Sequence, residues 1–312
     1  MRYPVALTQC TSYEPDMVAI AIARQFNLLG PIDSLIKPGD RVLIKPNMIS
    51  PKSPDRPVQT HPAVILACAR RLKDLGAHPI VGDSPAWGSV FSCAEALQLT
   101  QPLQHLGVPL RALNKPIYQR IGSSGTRVGI SSVLQEVDAI INLPKLKMHC
   151  QIVGTFAIKN MFGCVCGKWK PYFHYAKGTS IDQFSTFLIE LYDTIAPVLT
   201  LIDAVEAMEG SGPVNGTSRH LGWIIGSRDG IACERMCAKL IHIAPERFPI
   251  INTARSMHYG CPTSDAIDLL GDTPDFNLSP TFDIPAQTPI RFSLRRIIKS
   301  VAKGLLSRRS TG

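Results

Sequence analysis

An α/β fold is predicted, with a mostly parallel sheet flanked by helices. Three observations carry it. Short apolar, β-branched runs alternate with stretches whose apolar residues recur at helical spacing. Proline, glycine and aspartate punctuate nearly every transition between them. The chain has 312 residues with 45% hydrophobic and 18% charged, which supports a large buried core and rules out a disordered polymer.

The elements follow in order. Pro4 to Cys10 reads as a strand, and Pro15 to Leu29 as a helix stopped at Gly30. Lys37-Pro-Gly-Asp40 is a turn before the buried strand Arg41 to Lys45, which Pro46 ends. Pro62 suits the first turn of a helix running to Leu75, with Gly76 as its stop. Pro79 to Gly82 is a strand, Ser89 to Leu99 a helix, and Val108 to Leu113 an extended run. Residues 117 to 130 read as a hairpin-like insertion turning at Gly-Ser-Ser-Gly. Val137 to Leu143 is a strand closed by Pro144. Ile181 to Ile195 is a helix, and Val198 to Ala204 and Leu221 to Gly226 are strands. A helix from Asp229 to Ile243 has Asp229 as its cap. No repeat is present. Two lobes would divide near 145 to 180.

Residues 1 to 283 form the expected α/β body, and 284 to 312 a linker and basic tail. The net charge is +9, but Arg291, Arg295, Arg296, Lys299, Lys303, Arg308 and Arg309 follow the last acid, Asp283. The body is nearly neutral, so no specific nucleic-acid partner is expected. In the tail Leu294, Ile297, Ile298, Val301 and Leu305 share a helical face, opposite Arg295, Lys299 and Lys303. This amphipathic helix suits an anionic membrane surface or an acidic partner; the alternative is docking on the body. Nine cysteines in mostly apolar surroundings suit reduced thiols and a cytoplasmic location, peripheral to a membrane if the tail binds lipid. Neither a signal peptide nor a spanning segment is read.

Polar clusters fall where strands end, which is where open α/β sheets bind ligands. They are Lys45-Pro46-Asn47 with Thr60-His61-Pro62; Gly82-Asp83-Ser84; Asn142-Leu-Pro-Lys145-Leu-Lys147-Met-His149 with Lys159-Asn160; and Asp203 through Glu206 and Glu209 into Gly210 and Gly212. Lys145, Lys147 and His149 alternate, so an extended segment projects them from one face. Such a face holds carboxylate or phosphate, and one lysine beside another becomes a base. The bland alternative is a solvated basic edge. Asp203, Glu206 and Glu209 read as acids at the mouth of a flexible loop, able to bind a cation. Cys164 and Cys166 are a thiolate pair, and Cys233 and Cys237 pack inward or bind metal.

These clusters, with Lys159-Asn160-x-x-Gly163, the Glu209-Gly-x-Gly-Pro213 segment and Gly226-Ser-Arg-Asp229, resemble the domain-of-unknown-function 362 family across residues 40 to 240. The family carries no settled general activity, and many members hold a ferredoxin-like cysteine run that this chain lacks. Cys166 sits where the family often shows proline, and Glu234 where it often shows aspartate.

The expectation is a cytosolic enzyme acting on a small anionic molecule. Lys147, His149, His61 and Asp83 are the catalytic candidates. Lys45, Asn47, Lys145, Lys159 and Asn160 are the substrate-binding ones, and Asp203, Glu209, Cys164 and Cys166 the metal ones. The first alternative is a redox or cofactor-assembly partner working through Cys164 and Cys166 with a ferredoxin-like protein. Cofactor candidates are a metal ion or an externally supplied iron–sulfur cluster. The second alternative is a scaffold held to a membrane by residues 291 to 309.

Overall fold

Pleating explains the central strands. In β1 (Tyr3–Gln9), β2 (Arg41–Pro46) and β3 (His78–Asp83) the central residues, Val5 to Leu7, Val42 to Ile44 and Ile80 to Val81, are apolar and buried. That is the pattern of strands covered on both faces. The computed structural model describes residues 1–30, 34–166, 169–178, 180–278 and 280–289. The remaining strands are β4 (Leu110–Ala112), β5 (Pro116–Ile121), β6 (Thr126–Ser131), β7 (Ala139–Leu143), β8 (Lys145–His149), β9 (Val153–Thr155), β10 (Leu199–Glu209), β11 (Thr217–Ser227) and β12 (Ile267–Gly271). The helices are α1 (Pro15–Leu28), α2 (Pro62–Asp74), α3 (Val90–Ala96), α4 (Thr100–His105), α5 (Ala157–Asn160), α6 (Trp169–Ala176), α7 (Ile181–Ile195), α8 (Gly230–Leu240) and α9 (Pro249–Ser256).

One mixed, mostly parallel ten-stranded sheet runs in the order β12-β1-β11-β10-β7-β2-β3-β4, with β8 beside β10 and β9 beside β8. The antiparallel pairings are β1 with β11, β10 with β11, and β8 with β9. Strands β5 and β6 form the separate hairpin, turning through 122–125. Alternate residues feed opposite cores. Val42 and Ile44 pack with Phe26 of α1 and Ile65 of α2. Leu43 and Ile140 pack with Phe187 of α7 and Met236 of α8 on the other face. Each fully buried side chain of this kind contributes about 1.5–3 kcal/mol.

Local sequence sets the ends. Pro15 and Pro62 open α1 and α2, and the Asp229 carboxylate caps α8 at 2.6 Å from the Ala232 N–H. Two expectations need correction. The helix expected over 89–99 stops at Ala96 as α3, because Gln98 takes φ +55°, and a separate helix, α4, begins beyond it at Thr100. The acids read at a loop mouth, Asp203 to Glu209, lie inside β10, whose long antiparallel pairing with β11 keeps that stretch extended. The basic tail lies outside the described residues. No helix among the described residues is long and apolar enough to cross a membrane.

Candidate functional site

The carboxyl ends of β2, β3 and β7 deliver their polar residues to one place, and β8 continues beyond Pro144 alongside β10. All five residues of β8 are buried, so the solvated-edge reading is wrong for this strand. Lys145, Lys147 and His149 point to the same side, as the alternation requires, and each meets different partners.

Two buried ion pairs frame the site. Lys45 Nζ lies 2.9 Å from Asp83 Oδ2, and Lys145 Nζ lies 3.0 Å from Asp203 Oδ2. All four side chains are at most 2% exposed. Asp83 also accepts from the Met48 and Ser84 N–H groups, which ties the loop after β2 to the end of β3. Asp203 accepts from the Tyr13 hydroxyl at 2.8 Å and the His61 N–H at 2.9 Å. The His61 ring stacks on Tyr13 with centroids 3.5 Å apart. Its Nδ1 accepts from the Ala63 N–H, and burial pushes its pKa down to about 4. His61 lines a cavity of about 310 Å³ whose walls include Pro15, Pro54, Arg70 and Gln98.

Three asparagines connect the strand ends. Asn47 donates to Asn160, and Asn160 donates to the Lys45 carbonyl and to Asn142. Asn142 in turn donates to the Ala157 carbonyl and Thr200. Thr60 accepts from the Asn47 N–H and donates to the Leu143 carbonyl, so its hydroxyl joins two loops. Gly163 is required by contact: a Cβ there would stand 2.4 Å from Lys45 Cε and 2.5 Å from Asp83 Oδ1.

The positive charge exceeds the negative. Among the described residues no carboxylate pairs with Lys147, Lys159 or Lys170. Lys147 Nζ donates to Asn47 Oδ1 at 2.6 Å and to the Val58 carbonyl at 2.8 Å. Burial, then the neighbouring Lys159, holds its pKa well below the usual lysine range. Lys159 Nζ sits 3.1 Å from His149 Nε2, and burial lowers its pKa to about 8. Burial and Lys159 likewise keep His149 neutral. Lys170 donates to the Ser84 carbonyl, and burial lowers it too to about 8. Anions suit such a set: they supply the missing charge and satisfy the spare donors.

The catalytic and substrate-binding candidates of the sequence therefore gather around β8, with His61 on the far side of Asp203. The metal candidates do not gather. Asp203 and Glu209 are six residues apart on an extended strand, about 20 Å, and Glu209 pairs with Arg219 at 2.8 Å. Cys164 and Cys166 are buried, which pushes their thiols up to about 12 and about 11. Among the described residues no three His, Cys, Asp or Glu side chains converge as a metal site. All nine cysteines are free thiols. Cys233 and Cys237 pack into the core.

Sequence reasoning missed Tyr13, Asn142, Lys170 and the role of Glu234. Glu234 is 1% exposed and accepts from the Ile158 N–H at 2.9 Å, at the start of the short helix that carries Lys159 and Asn160. Its carboxyl fixes the lysine from behind. Asn142 stood inside a quoted motif, so that signal was present. Tyr13 carries no motif and comes from the other end of the chain.

The chain is 32% identical over 300 residues to the thylakoid-associated protein sll1697 of Synechocystis sp., covering 96% of this chain and 93% of that protein. Among solved structures, the lactate racemase apoprotein from Thermoanaerobacterium thermosaccharolyticum matches with a TM-score of 0.47 and 12% identity. That match covers 78% of this chain and 58% of the racemase, so the chain spans under two thirds of its length. Residues 42–239, more than half of the chain and the stretch that holds every strand end of the lysine centre, match the domain of unknown function (DUF362), and the chain belongs to that family.

Proposed function

We propose that the protein is an enzyme that binds a small anionic substrate, a carboxylate or phosphate, at the Lys147–Lys159 centre. One observation carries the reading. Five lysines, Lys45, Lys145, Lys147, Lys159 and Lys170, share one region in which, among the described residues, Asp83 and Asp203 are the only ion-pair partners. Two lysines are neutralised in place and act as frame. The others are held for an arriving anion.

The roles divide accordingly. Lys147 and the Asn47–Asn160 amides meet the anion. His149 and Lys159 share a proton across their 3.1 Å contact, which suits them to move one to or from the substrate. Lys45–Asp83 and Lys145–Asp203 hold the strand ends in register. Titration with oxalate and with inorganic phosphate, read by thermal shift, tests this. Wild type is expected to gain stability with either anion. Lys147→Met is expected to bind about 10–100-fold more weakly, the worth of a charged hydrogen bond. Affinity should fall as pH rises from 7 to 9, because Lys159 and Lys170, both lowered to about 8 by burial, give up their protons there. Binding by the variant within twofold of wild type ends the proposal.

A second reading, peripheral attachment to an anionic membrane, is favoured by the relative's name as a thylakoid-associated protein and by the seven basic residues of 291–309. Full-length protein is expected to sediment with anionic vesicles, and Arg295→Glu/Lys299→Glu/Lys303→Glu to stay in the supernatant. Equal partitioning of both rejects it.

A further inference from the structure

The protons in the lysine centre can be assigned from its hydrogen bonds. His149 Nδ1 accepts from the Gln151 backbone N–H at 3.0 Å. A backbone N–H only donates, so Nδ1 carries a lone pair and the ring proton of the neutral imidazole is on Nε2. That Nε2–H points at Lys159 Nζ, 3.1 Å away. An ammonium has no lone pair and would oppose proton to proton. This arrangement is therefore that of the amine form of Lys159, which accepts the histidine proton and gains population as pH rises past about 8. Unlike Lys147, which is 1% exposed, Lys159 is only half-buried.

We infer that Lys159 is a nucleophile that forms an imine with a 2-oxo acid, its carboxylate held by Lys147. The inference rests on the anionic-substrate reading and names the substrate class for it. A free lysine amine kept neutral by burial and by neighbouring cations is the group that attacks carbonyl carbon. A 2-oxo acid places its carboxylate one bond from that carbon, matching one lysine that attracts an anion beside one that attacks. The charged and titratable groups facing Lys159 are His149, Cys150, Lys147 and Lys170.

The step balances without an oxidant or reductant. The Nζ lone pair adds to C2, and the carbonyl electrons move onto oxygen. His149 Nε2–H protonates that oxygen and recovers a proton from the new ammonium. The resulting hydroxyl leaves as water on a proton from His149 Nε2, which is replaced by the last N–H proton of the adduct as the C=N bond forms. Amine and ketone become imine and water.

Borohydride trapping tests it on the full-length protein. Pyruvate followed by sodium borohydride, which delivers hydride to the imine carbon, is expected to leave one carboxyethyl group on the peptide bearing Lys159. Trapping should strengthen as pH rises from 7 to 9 while oxalate affinity falls, because one needs the amine and the other the ammonium. Lys159→Arg, which fixes a charge there without the nucleophile, should lose the label. A label on other lysines that survives Lys159→Arg overturns the inference. Oxalate binding with no pyruvate adduct also overturns it, and leaves the anionic-substrate reading standing. Neither binding nor adduct removes both.

Discussion

Asp203→Ala is expected to destabilise the protein by roughly 3–5 kcal/mol, the usual result of removing one half of a buried ion pair. The carboxylate is 0% exposed and its partner Lys145 is 1% exposed, so water cannot replace it. Removing it strands the Lys145 ammonium, the Tyr13 hydroxyl and the His61 N–H together. The attraction within the pair is offset by the cost of bringing both charges out of water. Lys145→Met combined with Asp203→Leu should therefore recover part of the loss. It will not recover all of it, since the Tyr13 and His61 donors stay unpaired at about 1–3 kcal/mol each. Urea unfolding of the three variants measures this. A single variant within 1 kcal/mol of wild type, on the scale of an exposed pair, would show that water enters the pair.

Glu234→Gln is expected to change the pH dependence of stability by several kcal/mol. Burial raises the Glu234 carboxyl from 4.5 to about 8 in the folded protein. Above pH 4.5 the unfolded chain has lost this proton while the folded protein keeps it. The contribution to stability is thus complete below about 4.5 and declines with rising pH until about 8. At about 1.4 kcal/mol per pH unit, the fall totals about 5 kcal/mol. Glutamine keeps an oxygen to accept from the Ile158 N–H and has nothing to ionise. Wild type and variant should be close at pH 5, with the variant several kcal/mol more stable at pH 9. Denaturation midpoints across that range decide it, and parallel curves for the two proteins would falsify the assignment of Glu234 as the titrating group.

Much of this centre could be read in the sequence, for reasons particular to its residues. Strand ends announce themselves: Val42 to Ile44 are apolar and buried, and Lys45-Pro46-Asn47 then breaks the run. The alternation of Lys145, Lys147 and His149 fixed their common side because a strand has a period of two. What the pattern could not reveal was which charge meets which. Lys45 finds Asp83 across β2 and β3, and Lys145 finds Asp203 across β8 and β10, and both pairings depend on sheet order. Tyr13 reaches Asp203 across 190 residues, and no local signal foretells it. Glu234 was noticed only as a departure from the family, whereas its position behind α5 follows from how α8 packs. The acidic run in β10 was misread because Asp203, Glu206 and Glu209 are polar residues before glycines. Their backbone is held by β11, a partner that local composition does not disclose.

The position of β1 has a consequence for synthesis. It leaves the ribosome long before its two neighbours, β11 and β12, near residues 223–227 and 267–271. At about 5–20 residues per second, its second edge stays unpaired for roughly 13 to 50 s. Val5, Ala6 and Leu7, all 0% exposed in the finished fold, wait through that interval as an open apolar template. The edges of β1 are thus closed only by strands made much later in synthesis.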